Sequence, residues 1–355
     1  MGICVSSASM EKEEGGDNVV CMVEEEGWWS PNAARRLASL YSRQGKKGPN
    51  QDSAIFCLGY GMEEGVFCGV FDGHGRNGHM VSKLVRDLLP SLVLSQREAL
   101  LLADGDYDAE GAGDAESSVD FDDCSVSSSP EMFDEWKEAC ISAFRAMDRE
   151  LTQHPDLDCC YSGTTAVTVI KQGKDLIIAN LGDSRAVLGT LSEGGDPMAV
   201  PLTTDLKPSL PHEAERIQRN NGRIFALRDE PNIARVWLPN GDYPGLAMAR
   251  AFGDFQLKKY GVIAVPQVFY RRLTSRDQFL VLATDGVWDV LSNEQVVSIV
   301  WSARSREQAS RAVVDAAVRA WRRKFPSSKV DDCSAVCLSL QDWEQDFGAP
   351  LEEDR

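Results

Sequence analysis

The chain has 355 residues, 43% hydrophobic and 26% charged, a composition typical of an ordinary soluble globular protein with one large domain or two small ones. Its net charge of −18 is concentrated in three segments: residues 11–26 carry −6, residues 104–134 carry −11 and residues 342–355 carry −5, which leaves +4 for the rest. Because a nucleic-acid-binding protein shows a basic face instead, this distribution argues against that class.

The sequence also argues against a membrane-spanning or secreted protein. No window approaches the roughly 18 uninterrupted apolar residues that a membrane helix needs, and the N-terminus has no signal-peptide core. The ten cysteines are therefore expected to be reduced thiols, and their spacing does not predict a zinc site.

The first six residues match the pattern for N-myristoylation, with Gly2 exposed after removal of Met1 and a serine at position 6. Cys4 is a candidate for palmitoylation, which would supply the second lipid that stable anchoring requires. We therefore expect residues 1–26 to be a flexible acylated leader at the cytoplasmic face of the plasma membrane. The alternative is a short unstructured start on a cytosolic or nuclear protein.

Hydrophobic periodicity and turn residues divide the rest of the chain into helices and strands. Helices are predicted at 77–102, 133–151, 211–221, 293–302 and 306–324. Strands are predicted at 53–58, 66–72, 164–170, 175–181, 185–188, 278–284 and 335–340. The acidic segment 104–130 is expected to be a disordered insertion, the proline-containing stretch 224–245 an irregular flap, and residues 342–355 an acidic tail.

The connections between the three middle strands are short, at 171–174 and 182–184, and short connections predict hairpins. Hairpins imply antiparallel pairing, which argues against a doubly wound parallel sheet. The pattern therefore predicts an α+β fold built on antiparallel sheets.

Acidic residues follow or precede several of these strands. An isolated aspartate at such a place is most often a turn cap, but a cluster of carboxylates needs a hard cation such as Mg²⁺ or Mn²⁺. Two such ions can convert a bridging water to hydroxide near neutral pH, which then attacks phosphorus directly. The candidate metal ligands are Asp52, Asp72, Asp183, Asp285, Asp289 and Asp331.

Two further residues are candidates for catalysis. His74 comes directly after Asp72 and Gly73, where it could protonate a leaving alkoxide as a general acid. Lys47, or its neighbour Lys46, could neutralise phosphate oxygens, and the alternative for both lysines is a solvated loop charge.

The sequence lacks the motifs of several other catalytic mechanisms. It has no Cys-x5-Arg thiolate loop, no Gly-x-Ser-x-Gly elbow, no His-Glu-x-x-His and no Gly-x4-Gly-Lys-Ser/Thr phosphate loop. Thiolate phosphatase, esterase, metalloprotease and kinase hypotheses are therefore set aside.

Several motifs occur in an order that resembles the metal-dependent protein phosphatases of the 2C type, and in particular the plant members. They are FDGHG at 71–75, SGTTA at 162–166, NLGDSR at 180–185, LAMARAFGD at 246–254, ATDGVWDV at 283–290 and the pair Asp331-Asp332. The resemblance spans roughly residues 35–341 and implies a four-layer α-β-β-α sandwich, with a catalytic domain at 27–341. It also implies hydrolysis of phosphoserine and phosphothreonine in proteins.

Carried over by position, the resemblance assigns roles to the candidate residues. Asp72 would bridge two Mg²⁺ or Mn²⁺ ions, Gly73 would give its carbonyl to one of them, and Asp285 and Asp331 would complete the pair. A weaker third metal site would be formed by Asp183, Asp285 and Asp289, and His74 takes the general-acid position.

Two positions depart from the pattern of many members, and a third departs from that of the plant hormone co-receptors. Gln51 replaces a glutamate before the first aspartate, which removes one charged acceptor, and Lys47 replaces an arginine that would grip phosphate bidentately. Leu227 falls where hormone co-receptors carry a flap tryptophan, so we expect no abscisic-acid receptor among the partners. The first two departures keep a second hypothesis open, a weakly active or silent relative that binds phosphoproteins or kinases as a scaffold. We expect a monomer.

Overall fold

The computed structural model of the chain describes residues 18–22, 37–105 and 130–341. Its strands, in chain order, are β1 (Asn18–Met22), β2 (Ala38–Arg43), β3 (Asp52–Leu58), β4 (Val66–His74), β5 (Gly163–Thr164), β6 (Ala166–Gln172), β7 (Asp175–Leu181), β8 (Arg185–Leu191), β9 (Pro197–Pro201), β10 (Arg223–Ala226), β11 (Ala234–Trp237), β12 (Pro244–Leu246), β13 (Phe252–Gly253), β14 (Gln267–Arg272), β15 (Asp277–Ala283) and β16 (Cys333–Ser339). Its helices are α1 (Gly78–Gly105), α2 (Pro130–Gln153), α3 (Pro211–Arg219), α4 (Phe255–Lys258), α5 (Asp285–Trp288), α6 (Asn293–Trp301) and α7 (Ala309–Lys324), with a 3₁₀ turn at Arg306–Gln308.

Two large sheets form the centre of the fold. The first has the order β1-β3-β4-β6-β7-β14, with the short strands β5 and β13 joined at the end of β4. The second has the order β2-β16-β15-β8-β9 and is antiparallel throughout. In the first sheet only the edge pair β1 and β3 is parallel among the described strands.

The two sheets pack face to face, because alternate residues of each strand point to opposite faces. Phe56 of β3, Leu188 of β8 and Leu282 of β15 belong to one buried cluster between the sheets. The residues between them on each strand, such as Ile55 and Val281, belong instead to clusters on the outer faces. Both faces of the central strands are therefore buried, which explains their nearly continuous apolar sequences.

Helices cover the two outer faces. Helices α1 and α2 pack on the first sheet through residues such as Val85, Trp136 and Phe144. Helices α6 and α7 pack on the second sheet through residues such as Val297 and Val314. The four layers are thus α-β-β-α, and the predicted fold class is confirmed.

The prediction of a second hairpin at 182–184 is wrong. Strands β6 and β7 do form the predicted antiparallel hairpin, but the far edge of β7 pairs with β14. Strand β8 pairs with β15 and β9 in the other sheet. The turn at Gly182, Asp183 and Ser184 therefore carries the chain from one sheet to the other.

Two further expectations are corrected by the described residues. The stretch 224–245 is an antiparallel sheet of β10, β11 and β12 rather than an irregular flap, and Phe225 stacks on Trp237 within it. Strand β1 lies inside the segment for which we expected only a flexible leader. Strands β2, β9 and β14 were not predicted, because they are short or mix polar and apolar residues without clear alternation.

Some predictions lie outside the described residues. These are the lipidated start at Gly2 and Cys4, most of the acidic insertion, and the acidic tail. At the edges of the insertion, Asp104 and Gly105 end α1 and Pro130 begins α2. Within the described residues, no helix combines the length and the apolar character required to cross a membrane.

Candidate active site

The first sheet brings two of the predicted acids side by side. Strands β3 and β4 are antiparallel, and their register places Asp52 directly opposite Asp72. Asp72 comes near the end of β4, and its backbone N–H and carbonyl are both held by Thr165, at 3.0 Å and 2.9 Å. This end of the first sheet therefore presents two neighbouring carboxylates.

The second sheet presents acids at the same end of the sandwich. Asp285 follows β15, and Asp331 precedes β16, whose Ala335 pairs with Ala283 of β15. Asp183 lies on the crossing turn before β8. Four strand ends of two sheets and the crossing turn thus bring together residues that are up to 279 positions apart in the sequence.

A hydroxyl network joins the two sheets beneath these carboxylates. The Thr284 hydroxyl donates to Oδ2 of Asp52 at 2.9 Å, and the same hydroxyl accepts the N–H of Ser334 at 3.1 Å. Asp52, Thr284 and Ser334 are all fully or almost fully buried. The network therefore fixes the end of β3 against β15 and β16.

The electrostatics of the cluster are those of crowded like charges. Desolvation, together with the charges of Asp285, Asp52, Asp331 and Asp183, raises the pKa of Asp72 well above its ordinary value. Desolvation and the neighbouring carboxylates raise the pKa of Asp285 in the same way. Burial raises the pKa of Asp52 to about 8, although hydroxyl hydrogen bonds oppose the shift. Such a site favours protons or cations over free carboxylates.

Two lysines partly neutralise these charges. Lys47, which is exposed, makes an ion pair with Asp331, and Lys207, which is partly buried, makes one with Asp183. Desolvation lowers the pKa of each lysine, but the carboxylates outweigh it and the net shift is upward. In the described part of the chain, no three Asp, Glu, His or Cys side chains form a ready-made metal cage.

Asp289 stands apart from the rest of the cluster. It lies at the end of α5 and is exposed, so solvent screens its charge more than that of its neighbours. Desolvation raises its pKa, Lys207 opposes that shift, and Asp183 adds to it. It is within electrostatic reach of Asp183 and Asp285, the other two members of the predicted third site.

The backbone of the loop before β3 is held by the carboxylate of Asp332. The Asp332 carboxylate accepts the N–H of Gly45 at 2.7 Å and that of Gln51 at 2.9 Å. The Gln51 side-chain amide donates to the carbonyl of Gly75 at 2.7 Å. The backbone carbonyl of Gln51 accepts the N–H of Gly73 at 3.1 Å. Gln51 therefore connects the loop to the turn that follows Asp72.

Gly73 is required by its surroundings. A Cβ atom there would lie 2.3 Å from the carbonyl oxygen of Gly78 and 2.6 Å from that of Gln51, which is closer than van der Waals contact allows. The turn into α1 can therefore form only without a side chain at this position.

His74 is next to the acidic cluster and has a carboxylate partner of its own. Its Nε2 lies 2.6 Å from Oδ2 of Asp254, which is buried. Burial lowers the pKa of His74, but the charge and hydrogen bond of Asp254 outweigh it, so the net shift is upward.

Comparison with known proteins decides the family. The sequence profile of the family described as protein phosphatase 2C matches residues 43–323. The chain belongs to the protein phosphatase 2C family. It is therefore a metal-dependent protein serine/threonine phosphatase, and members of the family depend on Mg²⁺ or Mn²⁺ in general.

Individual relatives agree with this assignment. A rice protein named probable protein phosphatase 2C 12 is 58% identical over 96% of this chain and 92% of its own length. An Arabidopsis thaliana protein named probable protein phosphatase 2C 72 is 50% identical over 97% of this chain and 99% of its own length. The plant type that the motifs predicted is thereby confirmed.

A solved structure shows the same fold. The crystal structure of a serine-threonine phosphatase 2C from Toxoplasma gondii has a TM-score of 0.69, with 25% identity, and covers 85% of this chain and 94% of its own. These comparisons give no support to the silent scaffold as an alternative for this phosphatase.

The donor set of the phosphatase fits a hard divalent cation. It consists of carboxylates from both sheets, and Oδ1 of the buried Asp183 has no hydrogen-bond partner among the described residues. A buried carboxylate oxygen without a partner is costly unless a cation satisfies it. The predicted ligands Asp52, Asp72, Asp183, Asp285 and Asp331 are therefore placed together, with Asp289 at the rim.

Two residues of the site were not identified as site residues from the sequence. Lys207 has no sequence motif that marks it, and its partner Asp183 is 24 positions away. Asp254 is part of the LAMARAFGD motif, but it is 180 positions from His74, so nothing local pairs the two.

Proposed function

We propose that this phosphatase hydrolyses phosphoserine and phosphothreonine monoesters in proteins at a binuclear Mg²⁺ or Mn²⁺ centre. The observation that carries the proposal is the convergence of Asp72, Asp285 and Asp331 from three strand ends of both sheets. The metal ligands would be Asp72 and the carbonyl of Gly73 with Asp285 and Asp331, supported by the buried Asp52. Asp183, Asp285 and Asp289 would form a weaker third site.

The centre, when loaded, would lower the pKa of a water so that hydroxide is available to attack phosphorus near neutral pH. Residues of the chain would neutralise the phosphate and protonate the leaving group. Lys47 lies on an exposed loop beside Asp331, where its ammonium can neutralise phosphate oxygens of a substrate. His74 would donate a proton to the leaving oxygen, which is otherwise a poor leaving group as an alkoxide.

The partners would be phosphorylated proteins, with no nucleic acid. We expect no hormone-dependent inhibition by an abscisic-acid receptor, since Leu227 stands where co-receptors carry tryptophan, and we expect a monomer.

The activity is tested by phosphate release from a phosphothreonine peptide. We expect release to require Mn²⁺ or Mg²⁺, to stop with a chelator and to return when the ion is added back. Asp285→Asn should lower the rate by about 100-fold or more, because metal assistance contributes several kcal/mol and each 1.36 kcal/mol is tenfold. Release that persists in the chelator would contradict the metal centre.

We further propose that the phosphatase is anchored to the cytoplasmic face of the plasma membrane by myristoylation of Gly2, with Cys4 as the site of a second acyl chain. The support is the sequence pattern alone. Gly2→Ala should move the protein from the membrane fraction to the cytosol, and Cys4→Ser should release it partly. An unchanged distribution of Gly2→Ala would refute lipid anchoring.

A further inference from the structure

The His74 ring is held on one side only. Nε2 lies 2.6 Å from Oδ2 of Asp254, whereas Nδ1 is buried and has no hydrogen-bond partner among the described residues. An ionised carboxylate can only accept hydrogen bonds, so Nε2 must carry the shared proton. The contact thereby sets both the rotation of the ring and its tautomer.

Asp254 is itself fixed from several sides. Its side chain is 2% exposed, and its N–H donates to the carbonyl of Ser162 at 3.0 Å. Its backbone adopts φ +50°, a left-handed conformation that costs a residue other than glycine roughly 1 kcal/mol or more. The surrounding structure therefore holds the Asp254 carboxylate in a place that the backbone alone would not favour.

A second ion pair holds the segment that carries Asp254. Asp148 of α2 accepts the N–H of Gly253 at 2.9 Å through one oxygen and the Lys258 ammonium at 2.8 Å through the other. Lys258 also donates to the carbonyl of Ala251 at 2.7 Å. The two bonds to Asp148 therefore tie Gly253 and Lys258, on either side of Asp254, to the helix layer.

Gly163 lies against the contact between His74 and Asp254. In the register of β5 it pairs with His74 on one side and with Gly253 on the other. A Cβ atom on Gly163 would lie 2.5 Å from Oδ2 of Asp254 and 2.8 Å from Nε2 of His74. The two side chains therefore meet in a space that only a glycine leaves open.

We propose that Asp254 is the positioning residue of His74, holding Nε2–H so that Nδ1 is the nitrogen that serves the substrate. This inference rests on the proposed function, in which His74 is the general acid. As a water oxygen bonds to phosphorus, the bond from phosphorus to the substrate oxygen breaks and its electron pair stays on that oxygen. The proton of Nδ1 converts the oxygen to the seryl or threonyl hydroxyl. The proton that the attacking water loses passes to solvent, and the neutral ring regains a proton from solvent.

The test measures how Asp254→Asn, made in the full chain, changes kcat for two different substrates. Asparagine keeps the shape of aspartate and tolerates the left-handed backbone, but it lacks the charge. We expect kcat for a phosphothreonine peptide to fall about 100-fold, the lower end of general-acid effects, because its leaving oxygen needs a proton. For p-nitrophenyl phosphate, whose leaving group needs no proton, we expect a change below about 3-fold.

Two further variants make the comparison specific. His74→Gln should show the same substrate dependence, and the double variant should be no slower than His74→Gln alone, as for residues that act as a unit. Asp277→Asn is the matched control, since Asp277 is a buried aspartate paired with Arg271 outside the site. It should leave the ratio of the two rates unchanged.

An equal loss on both substrates, or additive losses in the double variant, would overturn the inference and reduce Asp254 to a structural residue. A wild-type protein without peptide phosphatase activity would instead contradict the proposed function. If Asp254→Asn does not fold, ¹⁵N NMR of the wild-type histidines decides, because the chain has only four and His74→Gln assigns the signal. Neutral His74 protonated on Nε2 is expected, and protonation on Nδ1 would overturn the inference.

Discussion

Asp72→Asn is expected to abolish phosphate release and, in buffer without divalent ions, to make the protein more stable. Asp72 is surrounded by the charges of Asp285, Asp52, Asp331 and Asp183, so its loss removes repulsion that no cation then balances. Each unit by which folding raises the pKa of Asp72 costs the folded state about 1.36 kcal/mol. Removing that cost should raise Tm by about 2 °C or more. Activity should fall by about 1000-fold, because a carboxylate that would hold the metal centre is lost.

The pH dependence of stability follows from the same charges. A carboxyl whose pKa is raised on folding stabilises the folded state below its unfolded pKa, and this stabilisation is lost as the pH rises towards the folded value. For Asp52 the window runs from its ordinary pKa of 3.8 to about 8. The ion-free wild type should therefore unfold at a lower temperature at pH 8 than at pH 5, and Asp72→Asn should reduce the difference.

Thermal unfolding in a chelator, followed at several pH values, measures both effects. Asp277→Asn provides the contrast, because hydrogen bonds and the charge of Arg271 outweigh burial and lower the pKa of Asp277. Removing that paired charge should destabilise the protein while leaving its metal dependence unchanged. A destabilised Asp72→Asn variant in the chelator would contradict the picture of unbalanced charges.

Gly286→Ala is the second change for which we expect a large effect. A Cβ atom at this position would lie 1.9 Å from the carbonyl oxygen of Asp332, so α5 and the start of β16 cannot both stay in place. The Gly286 carbonyl also accepts the indole N–H of Trp321 at 2.7 Å. Overpacking of this kind costs about 3 kcal/mol. Asp285 and Asp331 would be displaced along with the backbone that carries them.

Denaturant unfolding with activity on the same samples tests this expectation. Gly194→Ala is the matched control, since the nearest heavy atoms to a Cβ there are 3.7 Å away. It should change the free energy of unfolding by less than about 0.5 kcal/mol. If Gly286→Ala were equally mild, the close approach of Gly286 to Asp332 would be wrong.

The sequence predicted those features that depend on the residue pattern of a single strand or helix. Asp72 and Asp285 come at the ends of apolar runs, and that placement predicted that they belong to a cluster of carboxylates around a hard cation. Long helices such as α1 and α7 were predicted within a few residues, since their apolar positions repeat regularly.

Local patterns failed where the outcome depends on distant partners. A turn of three residues at 182–184 has the same length whether the next strand pairs with its neighbour or crosses to another sheet. The proline-containing stretch became a small sheet because β11 supplies a partner to both β10 and β12, which no residue within one strand reveals. Asp254 and Lys207 were missed for the same reason, as each acquires its partner only through the tertiary fold.

The crossing turn at Asp183 has a consequence for how this enzyme comes into being. Asp52 and Asp72 belong to the first sheet, Asp285, Asp289 and Asp331 adjoin strands of the second, and Asp183 lies on the turn between them. Hydrogen bonds such as that from the Thr284 hydroxyl to Asp52 join the two sides. An intermediate in which either sheet has folded alone can bury apolar surface and yet hold no complete catalytic centre. Recovery of turnover during refolding should therefore lag behind recovery of secondary structure, and it should report the docking of the two sheets.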